Sequence, residues 1–458
     1  MSVSNKKWLY MPVEIKVREL PAKILLATAA ARSGYSVVLG RKAELSKYIN
    51  SFPEGIFLGF GAQKNFEGEY SRLKKRGFTV AIMDEEGLVT FSDNMYKRLR
   101  LSSDTLNNVD LVLAWGKKQA DLIREIDIDS KPAVYETGNL RFDVLRLEFR
   151  HLLEENAKNI RERFGKTILI NSSFGACNHF DGKERYFKAL KAKKILQNED
   201  DASFYKKYFK LKEDVFNAYI NVIPKIAEAF PDHTIIVRPH PSENYDAWSI
   251  AANGAKNVKI IHEGSVHPWL IACDAVVHHF CTTALEAFAS DTPAIAYRPY
   301  KNDEIETSLV YRGSVLAETP NALIDELNTI INDSDKSKLN KIRADQQGLL
   351  NEYIENLDGS FAYEETLKAF DKHSIVTNEN INIARVHARK LRTRLGNAYR
   401  FLKRGMKPYE KNYMDHKFPS FNEIELRSMI DDAGKSIPDL RAVQIKKIDP
   451  FCYVITSK

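Results

Sequence analysis

The chain has 458 residues, 44% hydrophobic and 28% charged, with 68 Lys and Arg against 61 Asp and Glu for a net charge of +7. That length accommodates about two to three ordinary domains, and so mild a charge imbalance argues against a dedicated nucleic-acid binder. Four scattered cysteines (Cys177, Cys273, Cys281, Cys452) without a CxxC pair, a charged N-terminus without a signal core, and no run near the roughly 20 apolar residues of a membrane span point to a cytoplasmic, soluble protein.

From residue 8 to about 145, short β-type runs alternate with helical stretches. "WLYMPVEI" and "SVVLG" flank "LPAKILLATAAARSG", an alanine-rich helix with a glycine stop. "GIFLGF", "FTVAIMD", "DLVLAWG" and "AVYETG" follow as strands, giving the βαβ rhythm of a parallel doubly wound sheet. The rhythm restarts with "KTILINSS", "HTIIVRPH", "VKIIHEG", "DAVVHH" and "PAIAYRP", with a long charged helical stretch over about 180–230.

The expected fold is therefore α/β, with two Rossmann-like domains facing across a cleft: residues 1–155, then 156–340, joined near "EENAKNIRERFG". Beyond about 335 helical patterns dominate, so 341–458 is expected to be a helical, basic extension packing back on the first domain.

Ligands of open α/β sheets sit beyond the carboxyl ends of the strands, so the polar residues there are the candidates. In the second domain these are Asn171, Ser172 and Ser173 of "NSSFG"; Arg238, His240, Pro241 and Glu243 of "RPHPSE"; and Thr282, Thr283 and Glu286 of "CTTALEAF". Thr282 or Thr283 is placed to cap a helix start, where free N–H groups favour a phosphate. His240, stiffened by flanking prolines, is the expected phosphate donor, and Glu243 and Glu286 suit ribose hydroxyls.

In the first domain, "VAIMDEEGLV" ends a strand in Asp84, Glu85 and Glu86, whose mutual repulsion raises at least one pKa and prepares a general base. Lys16, Arg18, Arg41 and Lys42 are candidates for an anionic acceptor or a sugar carboxylate, with Asn139 and Arg141 of "ETGNLRFD" as weaker ones.

The set "EEG" at 85–87, "HP" at 240–241 and "TT" at 282–283 resembles, in order and domain placement, bacterial sialyltransferases and Kdo transferases that use CMP-activated sugars. The broader run from "MPVEIKVREL" to "MDHKFPSF" at 414–421 looks like the bacterial surface carbohydrate biosynthesis proteins. The resemblance implies a GT-B architecture and a metal-independent glycosyltransferase without cofactor, moving Kdo or a related ulosonic acid from CMP to a glycan or lipid-linked acceptor. It further implies that His240 contacts the CMP phosphate, Thr282 and Thr283 support it, and Glu85 or Glu86 is base or nucleophile.

Residues 385–404, "RVHARKLRTRLGNAYRFLKR", carry eight Lys or Arg and no acid, which suits peripheral contact with the inner membrane's anionic cytoplasmic face. Two rival readings are a CDP-glycerol or CDP-ribitol phosphotransferase of the teichoic-acid type, which gives no reason for "DEEG", and a non-catalytic nucleotide-sugar-binding scaffold.

Overall fold

A computed structural model of the chain describes residues 6–87, 92–192, 195–196, 198–252, 254–302, 304–306, 309–312, 314–332, 337–404, 422–437 and 442–458. Two sheets organise it. The first takes β1 (Lys6–Val13), β2 (Tyr35–Arg41), β3 (Ile56–Gly59), β4 (Thr79–Ile82), β5 (Leu111–Ala114) and β6 (Ala133–Glu136). The second takes β7 (Thr167–Asn171), β8 (Thr234–Arg238), β9 (Val258–Ile260), β10 (Ala275–His278), β11 (Ala294–Tyr297) and β12 (Val315–Ala317). Of the remaining strands, β13 (Val376–Thr377) pairs antiparallel with β1, and β14 (Val443–Asp449) and β15 (Cys452–Ser457) form a hairpin.

Among the described residues, the first sheet runs β14-β15-β2-β1-β3-β4-β5-β6 and the second β12-β11-β10-β7-β8-β9. All pairs within the second sheet are parallel, as are those from β2 to β6. Strands β1 to β5, and most of the second sheet, are buried on both faces, which is why they read as continuous apolar runs rather than alternating ones. The second sheet has the strand order of a dinucleotide-binding Rossmann fold, reversing between β7 and β10, and the first reverses between β1 and β3. Reversal points of this kind are where open α/β sheets generally take their ligands.

The helix Lys16–Arg32 follows β1 and stops at Ser33 and Gly34, whose φ of +92° is a conformation that glycine adopts without a Cβ penalty. Its apolar face packs on Leu9, Met11, Val37 and Leu39 of the first sheet. The helix His151–Phe164 carries the chain to the second sheet, where Ala157 and Ile160 pack with Leu169, Ile236 and Trp269.

The chain then returns to the first domain. Asp143 accepts from the backbone N–H groups of Ala362 and Tyr363, at 2.9 and 2.8 Å, and so anchors the helix Ala362–His373. The final hairpin lays β15 antiparallel against β2, with Cys452, Tyr453 and Ile455 buried. The extension thus adds a strand pair to the first sheet, where sequence patterns gave helix.

Candidate functional site

The three carboxylates that follow β4 separate into three environments. Asp84 is buried; it accepts from Arg100, from the Glu86 N–H at 3.1 Å and from Tyr96 at 3.4 Å, and it holds the turn rather than facing a ligand. Glu86 is 60% exposed and paired with Arg18 at 3.1 Å and Arg100 at 3.4 Å. Against the effect of burial, these arginines hold its carboxyl below the usual range.

Glu85 differs from both. Its side chain is 12% exposed, with Lys23 at 3.7 Å from Oε1 and Arg141 Nε at 3.7 Å from Oε2, and Oε2 accepts no hydrogen bond. Burial pushes its pKa up, and the neighbouring Glu19 adds to that; Lys23 and Arg141 oppose it without prevailing. Much of the Lys23 charge is already engaged, because its ammonium lies 2.9 Å from Glu19 and donates to the Pro12 carbonyl at 2.7 Å. Glu19 also accepts from the N–H groups of Glu14 and Ile15 and so fixes the end of β1.

Arg141 crosses between the domains. It donates from Nη2 to the Glu85 carbonyl at 3.0 Å and from Nη1 to Glu286 at 3.3 Å. Glu286 is buried and also lies 3.5 Å from His267, so it is an interior partner of Arg141 and His267 rather than a residue of the helix surface. Asn139 is buried and caps its own short helix by accepting from the Arg141 N–H at 3.0 Å, which places it behind the site.

On the second domain, the His240 ring is exposed to the cleft, where the charges of Glu86 and Arg18 reach it. Its Nδ1 accepts from the Ser242 N–H at 3.2 Å and lies 2.8 Å from Ser242 Oγ. In the neutral ring that leaves Nε2–H as the outward donor. Although the ring's edge is open to the cleft, partial desolvation by the surrounding protein lowers its pKa from the ordinary histidine value, which favours the neutral form at pH 7. Pro241 lies exposed beside it at the rim.

Glu243 is buried and accepts from Ser172 Oγ and the Phe174 N–H at 2.8 Å and from Trp248 Nε1 at 2.9 Å. It therefore ties the loop after β7 to the loop after β8, and with its oxygens so engaged it is not placed for a ribose. Arg238 is likewise turned away from the His240 corner. Its guanidinium donates to the carbonyls of Glu263 at 2.8 Å and Gly264 at 2.5 Å.

Across the reversal point, Asn171 Nδ2 donates to Thr283 Oγ1 at 2.7 Å, and Ser173 Oγ donates to the His279 carbonyl at 2.6 Å. The turn between β10 and the next helix is made by Phe280 at φ +44°, a conformation that costs a non-glycine residue about 1–3 kcal/mol. Thr282 stands at the cap position of the helix Thr283–Ala289, but in helical geometry and without a side-chain cap bond. The expected hydroxyl cap is thus not formed: Thr282 is itself helical, and the Thr283 hydroxyl accepts from Asn171 instead.

The remaining first-domain cations are dispersed. Lys42 lies over the rings of Phe60 and Phe66 at 4.6 Å, 3.5 Å from Glu14, near the end of β1. Arg41 pairs with Glu44 and stacks on Phe451 at 4.5 Å, a structural role beside the hairpin. Lys16 meets Glu425 at 2.7 Å and lines a different cavity of about 640 Å³, floored by Leu20, Ile24, Leu153 and Trp269. That cavity holds none of the carboxylates after β4 and no part of the His240 corner. Among the described residues, no group of three or more His, Cys, Asp or Glu is arranged to hold a metal.

Sequence reasoning missed Glu19, Lys23, Arg100 and His267, each of which meets the candidates only through the fold. No family model matches the chain, and no curated protein matches it in sequence. The resemblance to sialyltransferases and Kdo transferases therefore rests on the short motifs alone, and "MDHKFPSF" lies outside the described residues.

Solved structures are similar in fold. A UDP-GlcNAc 2-epimerase from Neisseria meningitidis bound to UDP-GlcNAc aligns at 13% identity over 80% of this chain and 100% of its own, with a TM-score of 0.50. A UDP-GlcNAc 2-epimerase from Methanocaldococcus jannaschii aligns at 13% identity over 80% and 99%, with a TM-score of 0.46. The wall teichoic acid polymerase TagF, in an H548A form, aligns at 11% identity over 69% and 72%, with a TM-score of 0.43. The chain has the GT-B type of architecture, two Rossmann-like domains across a cleft.

Proposed function

We propose that the protein is a metal-independent glycosyltransferase that binds a nucleotide-activated sugar on the second domain and transfers the sugar to an acceptor held by the first. One observation carries this reading. Glu85 is a largely buried carboxylate of raised pKa with an unbonded oxygen, set at the carboxyl end of β4, the strand end where the neighbouring Glu86 reaches the His240 corner. Residues 1–155 are then the acceptor side, 156–340 the donor side, and 341–458 the returning extension.

In the reaction, the bond from the sugar's anomeric carbon to the phosphate oxygen breaks, and its electron pair leaves with the nucleotide. We assign the stabilisation of that charge to the His240 Nε2–H, free because Nδ1 is held by Ser242, and to the backbone of the turn at Phe280–Thr283. Glu85 takes the proton of the acceptor hydroxyl as its oxygen attacks the sugar. A base with a raised pKa is better matched to neutral pH than an ordinary carboxylate. Asp84 is excluded from that role by its bonds to Arg100 and the turn, and Glu86 is held ionised by Arg18 and Arg100.

The donor supported by the motif resemblance is a CMP-activated ulosonic acid such as Kdo, and the cations proposed for its carboxylate are Arg18 and Lys42, which here pair with Glu86 and Glu14. The acceptor is a surface glycan or its lipid-linked precursor. Peripheral contact with the cytoplasmic face of the inner membrane is supported by the helix Ile383–Arg404. There Val386 packs on the protein, while Leu391 and Leu395, one turn apart, are 61% and 65% exposed.

The test is a screen of CMP, CDP and UDP sugars for thermal stabilisation of the pure protein, followed by assay of the best ligand for nucleotide release with acceptor glycans. Stabilisation by CMP sugars and acceptor-dependent release of CMP is the expected result. Preference for UDP sugars overturns the CMP donor. An isomerised nucleotide sugar without transfer overturns the glycosyltransferase reading, and no response to any nucleotide leaves a scaffold.

A further inference from the structure

The interior of the second domain holds a lysine that the mechanism leaves without a role. Lys212, within the helix Glu199–Ala229, is 1% exposed. Its Nζ donates to Ser173 Oγ at 3.1 Å and to His279 Nδ1 at 3.3 Å. Both partners are uncharged, because burial and Lys212 itself push His279 down to about 4. Glu306 is reached only through that ring, 3.0 Å from Nε2, and its other oxygen meets Arg298 at 2.8 Å.

The position of these partners matters more than their number. Ser173 follows β7 and His279 follows β10, the two strands between which the sheet order reverses. Lys212 therefore bridges the two loops that wall the ligand crevice, from beneath. Burial lowers the pKa of Lys212, and Glu306 and Glu243 oppose this without prevailing, so an anion at the crevice mouth favours its charged form. Arg238, which the sequence offers as the cation for that anion, spends its guanidinium on the carbonyls of Glu263 and Gly264.

We propose that Lys212 is the charge-balancing, positioning residue for a nucleotide phosphate or diphosphate held between the loops after β7 and β10, acting by fixing Ser173 and His279 in those two loops. The inference rests on the reading of the second domain as the nucleotide side. It assigns the anion's counter-charge to a residue that the ligand does not touch. The side chain orients Ser173 and holds the two loops at the spacing the phosphate requires.

The experiment is calorimetric titration of the full-length wild type, K212M and S173A with CMP and UDP, and with cytidine and uridine, which lack the phosphate. K212M is expected to weaken binding of the better nucleotide by roughly tenfold to a hundredfold, the worth of a charge-assisted hydrogen bond, and to leave the nucleoside within about twofold. S173A is expected to lose nucleotide affinity selectively too, which keeps the test open should K212M fail to fold. Wild-type nucleotide affinity in both variants overturns the role of Lys212, as does an equal loss for nucleotide and nucleoside. A wild type that binds neither nucleotide overturns the functional reading beneath it.

Discussion

Arg141 donates from Nη1 to Glu286 Oε1 at 3.3 Å, and each of the two side chains is only 5% exposed. The pair joins the segment after β6 to the helix after β10, so it ties the first domain to the second. Removing one member of such a pair leaves an uncompensated buried charge and costs about 3–5 kcal/mol. E286Q is accordingly expected to unfold at lower denaturant than wild type at pH 7, with part of the loss recovered in R141M/E286Q.

The same pair has a pH signature. Burial alone would raise the Glu286 carboxyl, but His267 and Arg141 overcome it and hold the group at about 2. Its folded value lies below the roughly 4.3 of an unfolded glutamate, so its contribution is present above about pH 4.3 and is lost as pH falls through about 2. Denaturant titrations of wild type and E286Q should converge over that window. A difference that stays constant from neutral pH down to about 2 contradicts the pairing.

Gly175 lets the loop after β7 press against the His240 corner. A Cβ there would stand 2.3 Å from Ser242 Oγ and 3.8 Å from His240 Nδ1. G175A should displace Ser242, release Nδ1 from its two contacts and weaken nucleotide binding by about tenfold, the worth of one well-placed hydrogen bond. Calorimetry on G175A and H240A checks this, with both expected to lose affinity. If G175A binds as tightly as wild type while H240A does not, the orientation of the ring is set by something other than Ser242.

Membrane contact depends on the exposed leucines of the basic helix. Sedimentation with vesicles should show binding to anionic but not to zwitterionic lipid, falling at high salt as the charges are screened. L391E/L395E should abolish it without altering stability, since neither leucine is buried. Equal binding to both lipids, or no effect of the double substitution, rules out this mode of attachment.

The parallel strands were legible because burial on both faces writes them as unbroken apolar runs. The hairpin was not, because β14 alternates polar and apolar residues, and β15 finds its other partner, β2, some 400 residues earlier in the chain. The motif positions were equally visible, but the division of labour within them was not. "DEEG" gives three like carboxylates, and only the distant Arg18, Lys23, Arg100 and Arg141 make them unlike. Arg238 and Glu243 look like ligand contacts at a strand end, and the fold consumes both. Lys212 is one charge in a helix of many, and only its packing under Ser173 sets it apart.

Glu85 provides the most direct measurement. With the donor found by screening, turnover and nucleotide affinity of wild type, E85Q and E86Q should be compared across pH. E85Q is expected to lose about a hundredfold to ten-thousandfold in turnover with nucleotide affinity unchanged, and E86Q far less. The acid limb of wild-type turnover should lie above the usual carboxylate range, because the base form of a group with raised pKa appears only at higher pH. An E85Q enzyme that turns over like wild type, with the same acid limb, would contradict the assignment of Glu85 as the base.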